Sequence, residues 1–188
     1  MATLPEYRVG PEEYLRMERA AETKSEYDDG VIYAMAGASY AHNIIVGNLN
    51  WSLRNRLAER CTALPSDMKV RGLNPTRFYY PDVTVVCESP RFADDHTDIL
   101  LNPLVVIEVL SSSTAKLDQG RKFRGYQTIE SLQEYVLIAQ DAYFVEHYRR
   151  DGKRWIYTPV EGRDTNLLLP AINCELPLDE IYRQVDLP

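Results

Sequence analysis

The sequence predicts a mixed α/β fold of the α+β kind: a central mixed β-sheet flanked by helices, with an N-terminal helix and β-hairpin. Two observations carry most of that expectation. Residues 104–110, Leu-Val-Val-Ile-Glu-Val-Leu, are apolar almost throughout, as a strand buried on both faces of a sheet is. Residues 40–60 place Ile45, Leu49, Leu53 and Leu57 at spacings of four, with Arg54, Arg56 and Arg60 off that stripe, which suits a long helix packed on a core. A third observation is composition: 188 residues, 45% hydrophobic and 26% charged, describe ordinary globular usage and exclude an unstructured tail.

The remaining elements follow in chain order. Residues 11–21 carry Tyr14, Leu15 and Met17 among charges, with Glu12 and Glu13 where a helix N-terminus favours anions, so a short amphipathic helix is expected. Two β-prone runs flank Asp29-Gly30, a strong hairpin signal. Residues 67–71 alternate polar with apolar as a half-buried strand does. Residues 78–87 read as another strand, rich in aromatic and β-branched residues, with Pro81 at an edge or irregularity of it. Ser111 to Thr114 supply N-cap candidates for a helix reaching about residue 129, on which Asp118, Lys122 and Tyr126 recur every four residues and share one face. Residues 134–139, 143–148 and 155–158 are strands, the last two joined through a turn containing Gly152, and the C-terminal segment reads as peripheral. No repeat, low-complexity tract or linker appears, so one domain over residues 1–188 is expected.

Several function classes drop out. Cys61, Cys87 and Cys174 are odd in number and widely spaced, which suggests neither a disulfide framework nor a zinc ribbon and points to a reducing compartment. Nothing approaches the ~18 consecutive apolar residues of a membrane span. The first residues have neither the basic start nor the apolar segment of a secretory signal, so a cytoplasmic protein without a membrane partner is expected. A net charge of −7 argues against a uniformly basic coat for nucleic acid. A local basic surface stays open, with Arg121, Lys122, Arg124, Arg54, Arg56 and Arg60 as its candidates.

The informative feature is Glu108, an acid inside the most apolar strand, where an ionised carboxylate is costly unless it is paired or bound to a metal. Asp82 heads a neighbouring β-prone run. The two carboxylates can converge at adjacent strand ends, the minimal oxygen-ligand set for Mg²⁺ or Mn²⁺. The plainer alternative is that Asp82 caps a turn after Pro81 while Glu108 forms a buried salt bridge.

Pro81-Asp82, then Glu108 with Val109-Leu110-Ser111, then the serine run with Asp118, Lys122 and Tyr126, together resemble the Uma-type restriction-endonuclease-like family of the PD-(D/E)xK nuclease superfamily. The likeness runs from the Glu26-Tyr27-Asp28-Asp29-Gly30 hairpin, through His42 at the start of the long helix, to the strand at Glu134-Tyr135-Val136-Leu137. It implies a single restriction-endonuclease-like domain, with residues 1–38 as a helix-and-hairpin extension, 39–160 as the nuclease-like core and 161–188 as a C-terminal segment. It implies a metal-dependent endonuclease that hydrolyses phosphodiester bonds of DNA, works as a homodimer and uses Mg²⁺ or Mn²⁺. Asp82, Glu108 and the Val109 carbonyl would hold the metal, and Asp82, Glu108 and a lysine would be catalytic. The superfamily's lysine stands two residues after the acid, where this chain has Leu110. The resemblance suggests that Lys122 on the following helix takes its place. Lys69 is the rival cation; His42, Glu26, Asp118 and Tyr126 are accessory candidates. A different reading is a catalytically inactive nuclease-fold protein with a binding or regulatory role, consistent with Leu110.

Overall fold

The computed structural model describes residues 8–73, 75–110 and 115–187, apart from the side chains of residues 115–119. The chain opens with α1 (Pro11–Ala20) and the hairpin β1 (Ser25–Asp28) and β2 (Val31–Ala34). Asp29 and Gly30 both take positive φ, 49° and 99°, the backbone that a two-residue hairpin turn of matching twist demands. Then come α2 (Tyr40–Leu57), β3 (Thr62–Pro65), β4 (Lys69–Arg71), β5 (Arg77–Tyr79), β6 (Val83–Val86), β7 (Ile99–Leu100) and β8 (Val105–Leu110). After α3 (Ala115–Tyr126) follow β9 (Glu134–Ala139), β10 (Phe144–Asp151), β11 (Arg154–Glu161), β12 (Asn166–Leu169), β13 (Cys174–Pro177) and the short α4 (Leu178–Ile181). The N-cap candidates at 111–114 lie outside the described residues, as does the side chain of Asp118.

Two sheets organise the molecule. The larger has the order β11-β10-β9-β8-β6-β3, antiparallel except for the parallel pair β8–β9, so it is mixed as expected. β8 lies inside it, and its alternate residues feed two separate cores. Val105, Ile107 and Val109 pack beneath α2 with Ile45, Leu49 and Leu53, whereas Val106 and Leu110 face α3 with Tyr126 and Ile129. The smaller sheet, β2-β1-β5-β4-β7, holds the hairpin and is backed by α1 through Tyr14, Tyr27 and Phe78.

Three sequence expectations need correction. The run 78–87 is not one strand: β5 belongs to the smaller sheet and β6 to the larger, and the chain crosses between them at Tyr80-Pro81-Asp82. Pro81 has no N–H for a ladder, so the break falls there. Cys61 and Cys87 form a disulfide, because antiparallel pairing of β3 with β6 sets their flanking positions side by side. Cys174 is the free, buried thiol, and the cysteine argument for a reducing compartment lapses. Finally, the C-terminal segment is not peripheral. Leu167, Leu169, Leu176, Leu178 and Ile181 are fully buried in the core beneath α2, and the Tyr182 hydroxyl donates to the Ala139 carbonyl at 2.8 Å. No helix among the described residues is long and apolar enough to cross a membrane.

That burial is measurable. Leu176→Ala is expected to lower unfolding stability by about 2–5 kcal/mol, the usual cost of emptying a fully buried leucine site. Urea unfolding checks it; a loss under ~0.5 kcal/mol, as at a surface position, would contradict the packing described here.

Candidate active site

The site forms where the two sheets meet. β8 projects beyond the end of β6, leaving the main chain at Val109 without a strand partner on that side. Asp82, just before β6, fills the gap: its Oδ2 accepts the Val109 N–H at 2.7 Å. Its other oxygen, Oδ1, lies 3.1 Å from His42 Nε2 in the first turn of α2. Ser39 caps that helix by accepting the His42 N–H, and so fixes where the imidazole starts. The carboxylate, by hydrogen bond and by charge, holds the His42 pKa above its ordinary value against the opposing effect of partial burial, with a further contribution from the Val109 main chain.

Glu108 lies on the α3 face of the same strand. Its Oε1 accepts from the Tyr126 hydroxyl at 2.8 Å and from Lys122 Nζ at 3.3 Å, both supplied by α3 one turn apart. The helix comes this close because residue 125 is glycine: a Cβ there would stand 2.6 Å from the Tyr79 ring. Lys122 also reaches Glu26 Oε1 at 2.8 Å, and that oxygen accepts the Tyr80 N–H at 3.1 Å. Alternation along β1 explains the placement. Tyr27 points into the aromatic cluster behind the sheet, so Glu26 and Asp28 point the other way, toward Lys122 and Arg121.

Glu26, Glu108 and Lys122 are each less than 10% exposed, yet they line a cavity of about 580 Å³ together with His42, Asp82 and Leu110. Burial pushes the Glu108 pKa up to about 8; the Lys122 ammonium opposes this, and the Asp82 and Glu26 carboxylates reinforce it. Three carboxylates thus face one ammonium, one guanidinium and one imidazole in the cavity lining. Among the described residues no three His, Cys, Asp or Glu side chains converge as a ready-made metal cage. Burial and the neighbouring Glu108 raise the Tyr126 hydroxyl pKa well above its ordinary value, so it stays a donor.

Of the residues singled out from sequence, Asp82, Glu108, Lys122, Tyr126, His42 and Glu26 come together, along with the Val109 main chain. Lys69 does not. It is buried against Asp98 at 3.0 Å and the Tyr80 ring, outside the cavity lining. His147 is paired with Glu134 in the larger sheet. The cavity also takes in Arg121 from the expected basic surface, and Tyr33 and Gln140, which the sequence reading left out. Arg121 stacks its guanidinium 3.7 Å from the Tyr33 ring centre, and Gln140 accepts from the Ser39 hydroxyl at 2.6 Å. Nothing in the local pattern of Tyr33 or Gln140 marks them; only the folded chain brings them to this wall.

Comparison with known proteins gives a consistent frame. Residues 11–179 match the model of the Uma2 family, described as "Putative restriction endonuclease". Two relatives come from Synechocystis sp. The uncharacterized protein sll1609 is 40% identical over 157 residues, spanning 82% of this chain and 89% of its own. The uncharacterized protein slr1290 is 36% identical over 178 residues, spanning 94% and 92%. A crystal structure described as "a putative nuclease belonging to DUF820", from Anabaena variabilis, superposes with a TM-score of 0.76 at 18% identity, covering 93% of this chain and 97% of that one. At that identity the likeness is one of fold.

The Glu108 environment has a pH signature. Its folded pKa, about 8, stands above the ordinary carboxylate value of 4.5. The folded state therefore holds the proton more tightly, and this contribution to stability is complete below 4.5 and lost as pH rises through 8. Urea unfolding of the metal-free wild type is expected to show stability falling between pH 5 and pH 8, and Glu108→Gln, which stays neutral, is expected to flatten that decline. An unchanged slope in the variant would assign the pH dependence to other groups.

Proposed function

This chain belongs to the Uma2 family, and from that premise we propose that it is a divalent-metal-dependent endonuclease that hydrolyses phosphodiester bonds of DNA. The observation that carries the reading is the position of Lys122. Its ammonium stands against Glu108 on the same face of β8 as Leu110, where a strand-borne lysine would otherwise project. A phosphodiester is a poor, anionic electrophile, so its cleavage calls for a Lewis acid, an activated water and a cation near the developing charge.

The donor set suits a hard cation. Asp82 and Glu108 offer carboxylate oxygens from adjacent strands, and the Val109 carbonyl lies on the strand edge facing Asp82. Mg²⁺ is commonly held by one or two carboxylates with several waters, so a full protein cage is not needed. The Asp82 and Glu26 carboxylates, which add to burial in raising the Glu108 pKa, are charges that a divalent ion would offset. When bound, the ion supplies Lewis acidity and lowers the pKa of water.

The chain's own residues do the rest. Lys122, buried and oriented by Glu26, donates to a phosphoryl oxygen as charge builds there. Tyr126 holds Glu108 in its rotamer, and His42 orients Asp82. Arg121, supported by Asp28 and the Tyr33 ring, grips a flanking phosphate at the cavity wall. Each such site serves one strand, so cutting a duplex calls for two copies related by a two-fold axis. The apolar Leu110 favours one other reading, an inactive protein that keeps the fold and binds without cutting.

Calorimetric titration of Mn²⁺ followed by incubation with plasmid DNA separates the two readings. Wild type is expected to bind the ion and nick the plasmid, and Asp82→Ala to lose both. Lys122→Gln is expected to keep metal affinity while cleavage falls by about 10²–10³-fold, the scale for removing one transition-state donor. Full cleavage by both variants would sink the site assignment, and metal binding by wild type without cleavage of any DNA form would favour the inactive module.

A further inference from the structure

The pairing of β1 with β2 sets Tyr33 directly opposite Glu26. Ile32 turns to the aromatic cluster behind the smaller sheet, so alternation puts Tyr33 on the other face, beside the carboxylate that holds Lys122. β2 is the outermost strand of that sheet, and the Tyr33 ring is left 37% exposed where it lines the cavity. Tyr80 and Tyr135, the other tyrosines of the lining among the described residues, are buried in packing. The Arg121 guanidinium lies 3.7 Å over one side of the Tyr33 ring and is itself held by Asp28. A flat ring fixed from one side by a flat cation, with its remaining surface open, suits a third flat group. There is room beside it: residues 34–38 read Ala-Met-Ala-Gly-Ala, and a Cβ added at Gly37 would meet no atom within 4 Å.

Charge and depth both speak against a paired duplex in this cavity. Of the six arginines and lysines expected to form a basic surface, only Arg121 and Lys122 reach the lining, and each already faces a carboxylate. Arg56 pairs with Glu180, and Arg54 and Arg60 donate to main-chain carbonyls at the far end of α2. Duplex binding draws its affinity from Lys and Arg on the phosphates, which a chain of net charge −7 does not gather here. Glu26, Glu108 and Lys122, each under 10% exposed, lie within a recess of about 580 Å³, the size of a site for a small molecule. A nucleotide with its base turned outward suits such a recess, whereas a paired strand must first unstack and unpair.

We propose that a nucleobase next to the scissile phosphate stacks on Tyr33, and that the form of DNA this cavity takes is therefore single-stranded. The cutting rests on the nuclease reading; the stacking does not. A supercoiled plasmid is then nicked where its strands open.

The probe is a short thymidine oligomer carrying one 2-aminopurine, used alone or annealed to its complement. Metal-free wild type is expected to quench the aminopurine emission of the single strand and to leave that of the annealed form unchanged; with Mn²⁺ it is expected to cut the single strand faster. Tyr33→Ala is expected to weaken single-strand binding about 5- to 150-fold, the worth of one base on one aromatic ring. Its Mn²⁺ affinity by calorimetry and the salt dependence of its DNA binding are expected to match wild type, since no phosphate contact is removed. Tyr33→Trp, which restores a ring, is expected to recover binding and quenching. Wild-type binding by Tyr33→Ala overturns the proposal, and so does a wild type that takes single strand and duplex equally. A shallower salt dependence in Tyr33→Ala would mean that the ring acts only by holding Arg121, and would overturn it as well. Quenching that depends on Tyr33 in a chain that cuts no DNA would uphold the stacking and sink the nuclease reading alone.

Discussion

A carboxylate in the middle of an apolar strand has to be answered from somewhere, and the answer to Glu108 organises this molecule. Its own strand offers only valine, isoleucine and leucine as neighbours, so the hydroxyl of Tyr126 and the ammonium of Lys122 arrive from the helix laid across the sheet. That helix must then sit close, which Gly125 permits over the ring of Tyr79. Lys122 in turn is too buried to rest on one partner, and Glu26 from the hairpin pairs with it as well. Burying one charge thus ties together the central strand, α3 and the smaller sheet. Such groups are costly unless fully paired, so the pairing constrains every element that contributes to it.

The second constraint is the passage between sheets at Tyr80-Pro81-Asp82. A proline cannot serve a ladder, and the chain uses the interruption to leave one sheet and enter the other. Tyr80 gives its N–H to Glu26 on one side, and Asp82 takes the N–H of Val109 on the other. The cavity is therefore a consequence of the crossing: its acidic groups stand on two different sheets. The electrostatics follow from this crowding. Burial and two nearby carboxylates favour the protonated form of Glu108, while the Asp82 carboxylate favours the charged form of His42. Both shifts are upward, so one cavity holds an acid and a base that each keep their proton to a higher pH than usual, and perturbed groups of this kind cluster at functional sites.

Much of this was legible in the residues themselves. The central strand, the long helix, the Asp29-Gly30 turn and the singular position of Glu108 all have local signatures, whereas Lys122 stands out only through the resemblance, in which Leu110 occupies the usual lysine position. Other features were hidden for physical reasons. Residues 78–87 have strand propensity throughout, and propensity does not say to which sheet each half belongs. The Cys61–Cys87 bond depends on the register of β3 with β6 across a separation of 26 residues. The C-terminal leucines alternate weakly in short segments, yet they fill the core beneath α2.

By itself, the sequence determined most of the helices and strands and that an acid lies within an apolar strand, because periodicity, turn chemistry and the cost of burying charge act locally. Only the tertiary structure decided which cation answers Glu108, since Lys69 and Lys122 have similar reach and differ in what surrounds them. It also decided that Tyr33, Arg121 and Gln140 form the wall. Those outcomes depend on the crossing of sheets and the seating of α3, which no single segment encodes.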